Sequence, residues 1–228
     1  MIVFFEHALK RTMKQKLLIT GMFFFPLALA AAPHPEKTVP PIGFTLYGLI
    51  ILFSGFLLTK QIIEDRSSGT INRIAAAPIC HWEYLSGHLL AYWSVLVVQN
   101  LIFIGMAYIM WHSLEIVFSF LFVAYLALSA LAVAFSLFWH LLFRSYATSI
   151  AVFSVLVNMV AILGGLIVPI ALLPAEIKRI GVVLPTYWFS YAVQNTYEGN
   201  HATAFLALLI VVGFAIMFLV IGSKRRLE

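Results

Sequence analysis

Six stretches of this 228-residue chain, about 17–32, 42–59, 89–110, 116–139, 147–171 and 202–222, contain no Asp, Glu, Lys or Arg. A helix rising 1.5 Å per residue needs about 20 apolar residues to cross the ~30 Å hydrocarbon core of a bilayer. The first stretch falls just short of the usual range of about 17–25 residues, and the other five fit it. Charged residues make up 10% of the chain, against about 25% in soluble domains. The alternating apolar–polar pattern of a membrane barrel is absent. The expected fold is therefore an all-α membrane protein, with a single transmembrane domain over 1–228 and six transmembrane helices.

Lys and Arg set the orientation. Lys10, Arg11, Lys14 and Lys16 precede the first stretch, and Lys60, Arg66 and Arg73 follow the second. Arg144 lies between the fourth and fifth, and Lys224, Arg225 and Arg226 follow the sixth. Only Lys37, Lys178 and Arg179 fall on the other side. The positive-inside rule places both termini in the cytoplasm of a cell whose plasma membrane holds the chain. The net charge of +5 is thus topology control, with membrane lipid as partner and no nucleic acid. Ala30-Ala31-Ala32 has the small residues of a signal cleavage site, but Pro33 directly after it opposes cleavage. Ahead of that span, Ile2, Phe5, Leu9 and Met13 recur at helical spacing, while Glu6, Lys10 and Lys14 occupy another face. This predicts an interfacial helix over 1–16 lying on anionic lipid.

Between the second and third stretches runs the one long polar segment with several charges of both signs, from Lys60 to about His88. Gly69 can break the helix emerging from the membrane, and Thr70 can cap a short new one. Ile71, Ile74 and Ala75 then share a face, and Pro78 ends the helix. A short helix held across the ends of two spans can pass force from a soluble partner into the bundle.

The order Glu64, Gly69-Thr70, Ile71 through Ala77, Pro78 and Tyr84-Leu85-Ser86-Gly87 resembles the cytoplasmic loop of ABC-2 exporter permeases. The sequence departs from that pattern at Ile74-Ala75, where a Leu pair is common, and at His88, where Lys is usual. A second likeness covers Leu173-Pro174 through Leu184-Pro185-Thr186-Tyr187. It is similar to the family's external segment, which makes short re-entrant helices on the exit side; a plain interfacial helix fits the residues nearly as well. The resemblance implies Glu64, Gly69, Thr70, Arg73 and Pro78 as ATPase-coupling residues, and Pro174, Pro185 and Tyr187 as exit-side residues. It also implies a second permease copy or a paralogue, and two ABC ATPase subunits carrying the ATP and Mg. No cofactor is expected on this chain.

No GxxxxGK[ST] sequence occurs, so the phosphate-cradling loop is expected on a separate ATPase. A charge at mid-membrane costs about 2.5–3.5 kcal/mol on insertion scales, and proteins retain one mainly for ion or proton relays. Its absence from all six stretches disfavours ion-coupled transport and suits an amphiphilic or hydrophobic cargo. Gln99, Asn100 and Asn158 are the candidate pathway residues, with interhelical hydrogen bonding as their ordinary role. His81 and His88 do not form HExxH and have no evident third ligand, so no metal site is expected. A regulatory or immunity-type membrane protein that transports nothing is the alternative reading.

Overall fold

With no water to bond its backbone, an apolar stretch inside a membrane satisfies its N–H and C=O groups as helix. The computed structural model describes residues 2–31, 42–69, 81–111, 117–143 and 145–224. These form α1 (Ile2–Met13), α2 (Lys16–Ala30), α3 (Ile42–Ser67), α4 (His81–Trp111), α5 (Phe118–His140), α6 (Tyr146–Leu163), a 3-10 turn (Ile170–Leu172), α7 (Ala175–Gly181), α8 (Pro185–Tyr197) and α9 (His201–Lys224). No strand occurs among the described residues. The all-helical membrane architecture expected from composition is present.

Among the described residues five helices, α3, α4, α5, α6 and α9, are long and apolar enough to cross a membrane. The first expected span, 17–32, corresponds to α2, whose 15 residues reach only ~22 Å. α5 is the centre of the bundle and packs against α3, α4, α8 and α9. Its small residues allow that position. A Cβ built on Gly55 of α3 would stand 2.9 Å from the Cβ of Ala132 and 3.1 Å from its carbonyl carbon, so the two backbones meet there. Ala132 of the fourth span therefore serves packing inside one subunit. A larger apolar core fills the bundle, and a second one at the Lys60–Tyr84 end gathers Ala8, Met22, Leu58, Ile62, Tyr84 and Leu96.

Three expectations shift. α1 does not lie free on a surface, because Ala8 and Thr12 are buried against the bundle while Ile2 and Met13 are exposed. Its buried ridge is thus rotated from the expected Ile2–Phe5–Leu9–Met13 face; Phe5 and Leu9 flank the ridge and pack on the second core. α3 and α4 overrun their expected spans at that same end. The fifth span, expected over 147–171, stops at Leu163. Gly164 follows, where a Cβ would collide with the Thr186 side chain, and then Gly165 with φ +80. Two glycines permit a turn that other residues would resist.

Beyond this break the chain folds back into the bundle. Pro174 precedes α7, and Pro185 occupies the first turn of α8, where a missing N–H costs nothing. Thr186 donates from Oγ1 to the Val160 carbonyl at 3.1 Å. Phe189 meets the Tyr125 ring at 5.7 Å, about two turns, ~10 Å, inside α5 from its Phe118 end. α8 then runs outward along α9, which it reaches through a turn at Gly199 with φ +81.

Candidate functional site

α3 carries its charged groups in its last two turns, and α1, packed on α4, meets that end of α3 through Arg11 and Thr12. Arg11 of α1 donates from Nη1 to Asp65 Oδ1 at 2.6 Å and from Nη2 to Glu64 Oε2 at 3.1 Å. Glu64 also pairs with Lys60 at 3.0 Å, one turn back. Asp65, only 8% exposed, takes a second hydrogen bond from the Tyr84 hydroxyl at 3.0 Å, in the first turn of α4. One carboxylate therefore joins three helices.

A second layer lies one turn deeper. Gln61 donates to Thr12 Oγ1 at 3.0 Å and accepts from the Tyr92 hydroxyl at 3.4 Å. Phe4 closes the far end of α1 with an edge-on contact to Tyr84, centroids 5.6 Å apart. His88 stacks obliquely on Tyr84 at 4.3 Å, and its Nδ1–H donates to the Tyr84 carbonyl at 2.9 Å. Burial disfavours the charged Arg11 guanidinium, but its hydrogen bond to Asp65 and the charges of Asp65 and Glu64 outweigh this and raise its pKa. Arg11 thus stays charged and fixes both carboxylates.

The site stands at the root of the polar loop. α3 ends at Ser67, the Gly69 N–H bonds the Arg66 carbonyl at 3.3 Å, and Gly69 takes φ +70, with no atom of the described residues within 4 Å of where a Cβ would stand. A left-handed glycine just past a helix end is a common stop, because it costs no Cβ clash. Thr70, Arg73 and Pro78, and with them the expected coupling helix, lie outside the described residues. Glu64, expected as an ATPase-coupling residue, pairs with Arg11 and Lys60. Arg11, Gln61, Asp65 and Tyr92 were not among the expected site residues. The only hint of their role was the closeness of a basic N-terminal run and an acidic pair to the same membrane face.

The other expected site residues do not converge. Asn100 is fully buried, accepting from the Tyr47 hydroxyl at 2.7 Å and donating to Ser129 Oγ at 2.8 Å. It ties α3, α4 and α5 together. Gln99, also fully buried, donates to Ser54 Oγ at 3.4 Å while its Oε1 has no hydrogen-bond partner among the described residues. Asn158 lies on the exposed side of α6 and bonds back to the Ser154 carbonyl at 2.7 Å. At the other end, Tyr187 stacks on Tyr191 near the Gly181 backbone. Among the described residues no group of His, Cys, Asp and Glu could hold a metal ion.

No curated protein matches the chain. A family profile described as "ABC-2 family transporter protein" matches residues 8–224, taking in the Arg11–Asp65 joint, every long apolar helix and the folded-back segment. The chain belongs to the ABC-2 family and is a multi-pass membrane permease of an ABC transporter.

Proposed function

We propose that this permease is the membrane subunit of an ATP-driven exporter moving an amphiphilic or hydrophobic molecule out across the plasma membrane. The observation that carries the reading is the joint of Arg11, Glu64, Asp65 and Tyr84. It ties α1, α3 and α4 together at one end, and the helices on either side of residues 70–80 both terminate there. A push on the loop then moves three helices together instead of bending one.

In this reading both termini are cytoplasmic and α2 serves as the short sixth span. Two ATPase subunits carry the ATP and Mg, and a second permease copy or paralogue completes the pathway. Glu64 holds the joint, Gly69 is the hinge, Thr70 and Pro78 bound the coupling helix, and Arg73 makes an ionic contact with the ATPase. The folded-back 164–197 segment, with Pro174, Pro185 and Tyr187, forms a re-entrant outer gate. Non-helical backbone at membrane depth is tolerated where it packs on protein, and the burial of Thr186, Phe189 and Ser190 supports that placement.

The test is purification of the tagged chain in mild detergent, with an ATPase assay on what comes with it. A soluble ATPase that copurifies, and is lost when residues 70–77 are scrambled in a chain that still folds, is the expected result. An intact chain with no nucleotide-hydrolysing partner overturns the proposal.

A further inference from the structure

Where α3, α5, α6, α8 and α9 meet, their side chains leave a cavity of about 160 Å³. Phe135 and Trp139 of α5, Val157 and Val160 of α6 and Phe218 of α9 wall it, with Pro185 at the start of α8. The described residues turn only apolar surface to it. Thr186 also lines it, but its hydroxyl is already spent on the Val160 carbonyl at 3.1 Å.

A buried water needs about two to four polar partners, so a space with these walls stays dry. An engineered apolar cavity of about 150 Å³ in another protein stays dry in the same way and takes up benzene or xenon. Left unfilled, a void of this size also deprives every side chain around it of contacts, which favours occupation by apolar atoms.

Two features select the occupant. Phe135 meets Phe218 near edge-on, centroids 5.0 Å apart at 69°, and meets Trp139 at 5.8 Å and 42°. Three differently tilted rings around one space offer the edges and faces that a further aromatic ring pairs with. The space is also compact, with room for about one benzene-sized group, so a lipid chain would leave most of its length outside. A route from the hydrocarbon core exists as well. α6 packs on α3, α5, α7 and α8 but not closely on α9, and Leu156 and Phe218 on those two helices are only partly buried.

We propose that this cavity is a binding site for a compact aromatic ring, free or carried as the apolar end of a larger molecule, which enters from the membrane between α6 and α9. That such a ring belongs to the exported cargo rests on the transport reading above; the site itself does not.

The probe is a phenyl diazirine, a single photoactivatable ring, cross-linked at trace level to the full chain in phosphatidylcholine nanodiscs, with the labelled peptides mapped. Bromobenzene at about ten times its half-effective concentration should cut labelling of the Leu131–Trp139 and Leu156–Val160 segments about ten-fold, as competition for one site requires. Labelling of the exposed side of α9, at Leu206 and Leu209, should not change. Val157→Phe, which places a ring of the chain's own in the space, should abolish the competed labelling while the α9 labelling persists, showing that the fold survives. Leu131→Phe should do the same from the α5 wall, so a folding failure in one variant does not decide the test. Lipid chains are in large excess throughout, so labelling that bromobenzene leaves unchanged overturns the proposal and makes the cavity a seat for chain ends. Competed labelling that persists in both filled variants overturns it too, as does no labelling of either segment. Because no ATPase is present, each of these failures leaves the transport reading to its own test.

Discussion

Arg11 and Asp65 stand 54 residues apart in sequence, and their side chains meet at 2.6 Å. This contact changes α1 from a helix floating on lipid into a strut of the bundle. Removing Arg11 leaves Asp65 nearly buried with Tyr84 as its remaining partner. A hydrogen bond to a charged group contributes about 1.5–3 kcal/mol, and the 31% exposure of the Arg11 side chain reduces this through solvent screening. Arg11→Gln should therefore cost about 1–2 kcal/mol, read as a lower unfolding temperature in detergent. It should also speed amide exchange across 2–13 more than across α5. Unchanged exchange in α1 would refute the strut.

Gly69 separates backbone conformation from crowding, because its φ is +70 and, among the described residues, nothing lies within 4 Å of where a Cβ would stand. A left-handed non-glycine residue costs about 1–2 kcal/mol, and Asn less than most. Proline cannot adopt that φ and also lacks the N–H that bonds Arg66. Stimulation of a partner ATPase should fall in the order Gly69, Asn, Ala, Pro, with membrane insertion equal throughout. Loss of insertion in Gly69→Pro would make this glycine merely structural.

These two sites also show what could be read from the chain alone. Gly69 was legible because a glycine between a span and a polar run has a local meaning. The long apolar helices were legible because hydrocarbon admits few alternatives. The break at Gly164 was not, since Leu166, Ile170 and Leu173 beyond it are buried and keep the segment as apolar as a span. The Arg11–Asp65 joint was hidden for another reason. It depends on how α1 docks, and both residues had a sufficient local explanation as topology charge and loop charge.

Two glycines on neighbouring helices should respond in opposite directions to a single methyl group. Ala exceeds Gly in helix propensity by about 1 kcal/mol. At Gly105 nothing lies within 4 Å, so Gly105→Ala should stabilise by up to about 1 kcal/mol. At Gly55 the new carbon meets Ala132 backbone, which cannot yield as a flexible side chain can. Overpacking costs about 1–3 kcal/mol, so Gly55→Ala should come out neutral to about 2 kcal/mol destabilising, and Gly55→Val worse. Thermal unfolding of the three variants in one detergent checks this. Equal gains from both alanines would mean that α3 and α5 are not in close contact.

Asn100 of α4 and Asn158 of α6 are the same residue type on two apolar helices, yet their surroundings assign them different work. Asn100 holds Tyr47 and Ser129, so Asn100→Leu leaves the Tyr47 hydroxyl buried without its acceptor. That should cost about 1–3 kcal/mol and lower the yield of folded protein, with cargo preference unaltered in what survives. Asn158 bonds only its own helix and lies on the exposed side of α6. Asn158→Leu should leave the unfolding free energy within about 0.5 kcal/mol of the parent, as most surface changes do. Any effect should show instead in assembly of the second permease subunit or in transport. Unfolding and cross-linked dimer yield, measured together, separate the two roles. A destabilised Asn158→Leu with normal dimer yield would place that side chain inside the subunit's own packing.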